Sequence, residues 1–542
     1  MNVKRILVLL LIDLIGLQLG YAQISSAIHT DTLLLSRTAY KDKLMGFWLG
    51  SCIGNWTGLP TENRRTDFPF FTDQDFDTEQ FDYVLDQDPW GADDDTDIEY
   101  VYQHAMVTNG HYMLSGEQIS NAWQDHIGLP LLWVSNLSAL GQMQNGAVPP
   151  ETSFPENNPM WDMIDAQLTT EIFGALAPGR PDVALHIGHL PVRTTAYLHS
   201  EWAAQFYIIM HALAAVVDKN LSRKEQVIWM AEQARKRIPD WSYIADMYDF
   251  AKEAYLANPD KDDWEKTRDE IAQRYQHSVT ADYTYKYPWD AGINFAASMV
   301  SMFYGEGDYK KTIRIGAMCG WDSDNPTATW GGLLGLLYGY EGLEAHFNKT
   351  DFSTNYHIER TRYNMPNPVD TFEAMAEGGI QIIDQIVLEA IPGKVDNDMW
   401  HIPLKATAVT KADIAETVVP WVTIEDNDPR WIYQGFETRY ENWNASGAYL
   451  TRGYANCKAE LTFTGKAVQY YAYRSPNGGK VTITLDGKSY GKFSLEDHSS
   501  THGQYYVKVF EKRDLAPGSH TLKIVGDEKE TEKTIDMLSI IE

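Results

Sequence analysis

Gly320-Trp321-Asp322-Ser323-Asp324-Asn325-Pro326 opens the segment on which the reading of this chain turns. Asn325 is a good N-cap, and Pro326 is a good first helical residue because that position has no N–H bond to lose. A helix is therefore expected from Thr327 to about Tyr340. It is apolar and carries Gly331, Gly335 and Gly339 at spacing four. A stripe without side chains lets a second helix come close, which suits a central position. Asp322 and Asp324 then stand just ahead of a central apolar helix, where a merely solvated role is hard to sustain.

Two further segments share this design. Gly46, Gly50, Gly54 and Gly58 repeat the spacing and run into Leu59-Pro60-Thr61-Glu62. Helix packing accounts for the glycines; Glu62, just past the end, is a candidate for chemistry. Asp93-Asp94-Asp95-Thr96-Asp97 precedes an amphipathic run in which Ile98, Val101, Tyr102, Ala105 and Met106 recur at helical spacing. Inside a helix, adjacent carboxylates point about 100° apart and do not meet on one ion. On a loop leading into the helix they can curl together, and a cation then removes their mutual repulsion. The plain alternative is a solvated acidic helix start, which the macrodipole favours.

Outward from these segments, helical periodicity continues at Trp202–Val216, Ser222–Arg237 and Ala374–Ile391, until Pro392-Gly393 stops it. From about Trp421 the pattern changes to short β-rich runs, Ala459–Phe463, Val468–Tyr473, Lys480–Leu485, Tyr505–Phe510 and His520–Val525, with Asp486-Gly487 as a hairpin turn. The expected architecture is an all-α catalytic domain over 23–395, a linker over 396–418 and an all-β sandwich or jelly roll over 419–542.

The 542 residues carry a formal net charge of −30, which excludes a nucleic-acid polymer as partner and disfavours an anionic membrane. Lys4 and Arg5 precede an apolar run from Ile6 to about Leu19, followed by Gly20-Tyr21-Ala22. This reads as a signal peptide over 1–22, so the chain is expected to be exported, periplasmic or extracellular, without a membrane anchor. Cys52, Cys319 and Cys457 show no zinc spacing, and neither acidic cluster has the glycine and glutamate of an EF-hand. The oxygen-only donors point to Mg2+, Mn2+ or Ca2+.

In this order, the three segments resemble the ADP-ribosylglycohydrolase family over roughly residues 40–345. Gly54-Asn55-Trp56-Thr57-Gly58-Leu59-Pro60-Thr61-Glu62 is similar to its Gly-Asp-Ala-Leu-Gly-x-Pro-x-Glu stretch, Asp93-Asp94-Asp95-Thr96 to its Thr-Asp-Asp-Thr, and Gly320 to Asn325 to its Gly-x-Asp-x-Asp-Thr. Tyr304-Gly305-Glu306-Gly307-Asp308 also looks like the family. Asp93 and Asn325 stand where relatives have Thr, Asn55 stands where they have Asp, and Arg193–Glu201 is only loosely like the family's substrate-side segment. The resemblance implies an all-α fold with two Mg2+ ions in a central cleft. It places Asp93, Asp94, Asp95, Asp322, Asp324 and Asn325 on metal-ligand positions and Glu62 near the scissile bond. Glu201 is a further acid/base candidate, with a structural role weighed against it. The C-terminal part resembles sandwich modules of secreted carbohydrate-active proteins through Glu425 to Arg430, Ser475 to Gly479 and Leu515 to Leu522; Trp431, Tyr433 and Trp443 are weighed there as sugar binders against plain core packing.

The function expected is metal-dependent hydrolysis of an N- or O-glycosidic bond in a ribosyl-type (ADP-ribosyl, nucleoside) or related glycoside, with a small molecule or oligosaccharide as substrate. Export favours a glycoside scavenged outside the cytoplasm. The alternatives are an oligosaccharide hydrolase, a non-catalytic carbohydrate-binding protein and a calcium-stabilised structural domain.

Overall fold

The computed structural model describes residues 32–541 except 77, 79–80, 92–93, 129–131, 281, 359–363, 366–368, 405–408, 413–421, 443–444, 447–448, 499–502 and 514. The leader expected at 1–22, Asp93 and Trp443 lie outside the described residues.

A helical domain leads. Helix α1 (Arg37–Gly58) begins where the Ser36 hydroxyl accepts the Ala39 N–H. Next come α2 (Asp94–Asn109), α3 (Val134–Gln144), α4 (Ala291–Gly305) and α5 (Asp324–Tyr338). Almost every residue of α4 and α5 is buried, as is α1 from Gly46 to Gly58 apart from Trp56, so these helices form the core of the domain.

Two expected helix starts shift. The helix of the first acidic cluster begins at Asp94 rather than near Ile98, so Asp94, Asp95 and Asp97 occupy its first turn, where N–H groups lacking acceptors favour negative charge. The second begins at Asp324 with Ser323 as N-cap, so Asn325 is a helical residue and not the cap.

The expected linker also starts later. Strand β1 (Thr32–Ser36) pairs antiparallel with β3 (Met399–Pro403), which pairs in turn with β2 (Lys394–Asp396). Residues 399–403 thus close a small sheet on the helical domain.

The C-terminal region has two antiparallel sheets. Strands β4 (Val422–Glu425), β5 (Trp431–Glu441), β6 (Tyr449–Thr464), β7 (Ala467–Arg474), β8 (Lys480–Leu485), β9 (Lys488–Ser494), β10 (Gln504–Lys512), β11 (Ser519–Gly526), β12 (Lys533–Ile535) and β13 (Met537–Ile541) follow in sequence. One sheet has the order β9-β8-β11-β6-β12, with β5 also pairing β6; the other has the order β10-β7-β13-β4. All five expected β runs lie inside strands. Asp486 and Gly487 make the hairpin turn with φ of 52° and 77°, the two positive values that a tight type I′ turn requires. Leu461, Ile483 and Ile524 from one sheet meet Val468, Tyr470 and Leu538 from the other in a separate core. Trp431 is buried in that core, and Tyr433 packs against it.

The four-stranded sheet also packs on the helices. Tyr471, Tyr506 and Met537 belong to the helical domain's core, and Lys508 Nζ donates to Glu156 O and Asn157 Oδ1, both at 3.0 Å.

Candidate active site

The site depends on how closely α1 and α5 approach. A methyl group on Gly50 would fall 2.2 Å from Gly331 O, and one on Gly54 would fall 2.0 Å from Thr327 O. The two glycine stripes therefore pack on each other, backbone to backbone, and carry the end of α1 to the start of α5. Thr61 completes the junction: its hydroxyl lies 2.6 Å from Ala317 O and 2.9 Å from Ser323 Oγ. Glu62 consequently faces the second acidic cluster, and oxygens of Glu62, Asp322 and Asp324 lie within 4.8 Å of one another.

The first turn of α2 supplies the other side. The Asn55 amide nitrogen donates to Asp95 Oδ2 at 3.1 Å and to Asp324 Oδ2 at 3.3 Å, so one amide spans the two clusters. Asn325 Nδ2 reaches Asp95 Oδ1 at 3.5 Å. On the far side of the junction, the Asp322 N–H donates to Asn294 Oδ1 of α4 at 3.1 Å. Asp94, Asp95, Asp322, Asp324 and Glu62 all line a single cavity of about 440 Å³. Trp133 and Trp289 also line it, and an indole is a side chain whose flat apolar face suits a sugar or base ring.

Sequence reasoning brought these five carboxylates together. Asn325 is not among the residues that line the cavity; its amide supports Asp95. Glu201 is likewise absent from the lining. It accepts from Gln205 Nε2 at 2.9 Å and pairs with Arg193 at 3.7 Å, while the Arg193 guanidinium lies over the Tyr197 ring. Burial pushes the Glu201 carboxyl up and Arg193 pulls it back, so Glu201 reads as part of a packing cluster.

Asp165 escaped sequence reasoning. It lines the cavity, accepts from the Ser135 hydroxyl and accepts the Asn136 N–H at 2.9 Å, and burial pushes its carboxyl up to about 6. A carboxylate next to the apolar Met163, Ile164 and Ala166, three residues after Asp162, was the only signal. Asn55 appeared in the sequence only as a departure from the family pattern, and the structure makes it the bridge between the clusters.

A second pair of buried carboxyls ties α2 to α5. Glu99 accepts the Ile172 N–H at 2.6 Å, and Glu171 accepts the Thr329 hydroxyl at 2.6 Å and the Thr170 N–H at 3.0 Å. Burial, then the Glu171 charge, pushes Glu99 well above the carboxylate range; burial pushes Glu171 up to about 7. The native pair keeps protons that the unfolded chain releases above about 4.5, so Glu171 costs stability as pH rises to about 7, and Glu99 goes on adding to that cost above it. Glu171→Gln holds the pair in the equivalent of its protonated state. Its stability relative to the wild type should therefore rise by roughly 2 kcal/mol between about pH 5 and about pH 8. Thermal melts across that range check this; a difference flat with pH removes the raised Glu171 carboxyl.

The model of the ADP-ribosylglycohydrolase family matches residues 36–361. A solved structure described as an ADP-ribosylglycohydrolase-related protein complex is similar over 64% of this chain and 98% of its own, with 12% identity and a TM-score of 0.40. One described as CBM35 from Cellvibrio japonicus Abf62 is similar over 22% of this chain and 93% of its own, with 13% identity and a TM-score of 0.19. Among curated proteins, an A type blood alpha-D-galactosamine galactosaminidase of Flavonifractor plautii is 29% identical over 131 residues, covering 23% of this chain and 12% of that protein. The chain thus spans about an eighth of that relative's length.

Proposed function

Because this chain belongs to the ADP-ribosylglycohydrolase family and is a glycosidase-type hydrolase, we propose that it uses two divalent cations, Mg2+ before Mn2+ or Ca2+, to cleave a ribosyl-type glycoside outside the cytoplasm. Export rests on the leader read at residues 1–22, and sequencing the mature N-terminus tests it, with Gln23 expected first. Among the described residues, no helix is long and apolar enough to cross a membrane.

The observation that carries the reading is the convergence of two distant aspartate clusters on one cavity. The donor set fits hard divalent cations: it is all oxygen, and Glu62, Asp322 and Asp324 approach within 4.8 Å. Like charges this close and this buried call for positive charge between them. Asp94, Asp95, Asp322 and Asp324 would hold the cations, with Asn55 and Asn325 fixing Asp95 and Asp324 by hydrogen bonds. Bound there, divalent ions supply Lewis acidity, orienting sugar hydroxyls and a water and lowering that water's pKa.

The remaining work falls to the chain. Trp133 and Trp289 hold a ring by its faces. Glu62 and Asp165 are the cavity carboxyls left for proton transfer, and a carboxyl pair suits an oxocarbenium-like transition state. Asp165, whose carboxyl burial pushes up, is the candidate for the group that gives a proton to the leaving group. Asp165→Asn should lower kcat by about a hundredfold while bound metal stays unchanged. Unchanged kcat takes the acid role away from Asp165.

The deciding experiment is a panel of ADP-ribose conjugates, nucleosides, furanosides and hexosaminides, assayed with Mg2+ and with EDTA. Cleavage that EDTA stops and Mg2+ restores supports the proposal. Neither metal nor turnover favours a sugar-binding protein. Bound metal and stability without turnover favour a structural cation site. Preferential cleavage of hexosaminides selects the oligosaccharide reading, which the likeness to a galactosaminidase favours.

A further inference from the structure

Two parts of the cavity wall rest on the C-terminal sandwich. The first is the turn over 286–290. Asp290 accepts the Lys286 N–H at 2.6 Å, the Tyr283 hydroxyl at 3.1 Å and the Tyr287 N–H at 3.2 Å, which shapes the turn so that Trp289 joins the cavity wall. Trp289 O accepts the N–H of Ile164, another wall residue, at 3.0 Å. Helix α4 starts directly after the turn and holds the Asp322 N–H through Asn294. At its other end the turn is tied to the sandwich: the Tyr287 hydroxyl donates to Glu425 Oε1 at 2.7 Å, at the end of β4. The Ser446 hydroxyl donates to the same oxygen at 2.9 Å. The Tyr287 and Trp289 rings lie at 30° with centroids 6.4 Å apart, so fixing one ring restricts the other.

The second part is α3, whose start places Val134 in the wall beside Trp133. Strand β10 lies against this helix, and its Tyr506 is buried in the helical domain's core. A module connected only by a flexible tether would make neither contact.

We infer that the sandwich is a working part of the cavity, in which Tyr287, held by Glu425, is a positioning residue that sets the Trp289 face against the substrate ring. The functional half of this inference rests on the glycohydrolase reading. A hydrogen bond between a phenol and a buried carboxylate is among the stronger kinds, so losing it releases the turn. Ring-face contact is made equally in the ground state and the transition state, so its loss acts on KM and leaves kcat alone.

The test uses the full chain with Tyr287→Phe, Glu425→Ala, Glu425→Gln and Trp289→Ala. KM, kcat, bound Mg2+ and thermal midpoint are measured with whichever panel glycoside is cleaved, together with amide hydrogen exchange over 286–291. Tyr287→Phe and Glu425→Ala should each raise KM by about tenfold, keep kcat within about twofold, leave Mg2+ content unchanged and speed exchange over 286–291. Glu425→Gln keeps a carbonyl acceptor for Tyr287 and should restore most of the KM. Tyr287→Phe should add nothing in a Trp289→Ala background. An unchanged KM with a lowered midpoint overturns the inference and leaves an ordinary packing contact; a fall in kcat at constant KM overturns it too. If the wild type cleaves nothing on the panel, the glycohydrolase reading has failed separately. Exchange then decides the positioning alone: faster exchange upholds it and unchanged exchange overturns it.

Discussion

Asp322→Asn should remove bound divalent metal and lower glycoside hydrolysis by at least about a thousandfold. Asp322 is 7% exposed and lines the cavity, and its backbone N–H is anchored to Asn294. The substitution keeps size and anchoring and removes only the charge. Asp95→Asn, on the opposing cluster, should act in the same way, because both clusters face one cavity. Glu201→Gln is the control: it changes a carboxyl outside the lining and should leave metal and turnover near wild type. A second signature separates charge from folding. In EDTA the Asp322→Asn chain should melt higher than the wild type, because crowded like charges are relieved; in Mg2+ the order should reverse. Metal analysis, kcat and paired melts check these outcomes. Full turnover in the Asp322→Asn chain would falsify the shared-cation site.

Gly54→Ala should abolish the folded state or destabilise it by more than about 3 kcal/mol. The added methyl would sit 2.0 Å from Thr327 O and 2.6 Å from Thr327 C, both backbone atoms of α5. No rotamer change moves a backbone, so α1 and α5 must separate, and with them Glu62 and Asp324. Gly91→Ala, whose methyl would meet His357 O at 3.5 Å, is the matched control and should cost little. Soluble yield and denaturant melts decide; a Gly54→Ala chain as stable as the wild type contradicts the close crossing. A chain that folds but binds less metal would show that the crossing sets the site more than the stability.

Much of this was legible in the sequence because it is local and periodic. Glycines at spacing four announce a close helix contact whatever the partner, and alternating β runs with Asp486-Gly487 between them announce a hairpin sheet. The acidic clusters stood out in the sequence because carboxylates this close are costly unless something offsets them. Helix starts were less legible. The first turns at Asp94 and Asp324 tolerate carboxylates through the helix dipole, so charge blurs the boundary between loop and helix.

By itself, the sequence determined the two-part architecture, the presence of two helices built for close contact and the identity of the carboxylates that meet. Those properties follow from chain-local sterics and from the energetic cost of bringing like charges together. Only the tertiary structure decided which remaining side chains reach the cavity. Asp165, which the sequence did not single out, enters it, and Glu201, which it did, turns to Arg193. Tyr287 and Glu425, 138 positions apart, meet because the sandwich docks on the helices. Such contacts depend on how the sandwich and the helices pack together, and no spacing within either one encodes that.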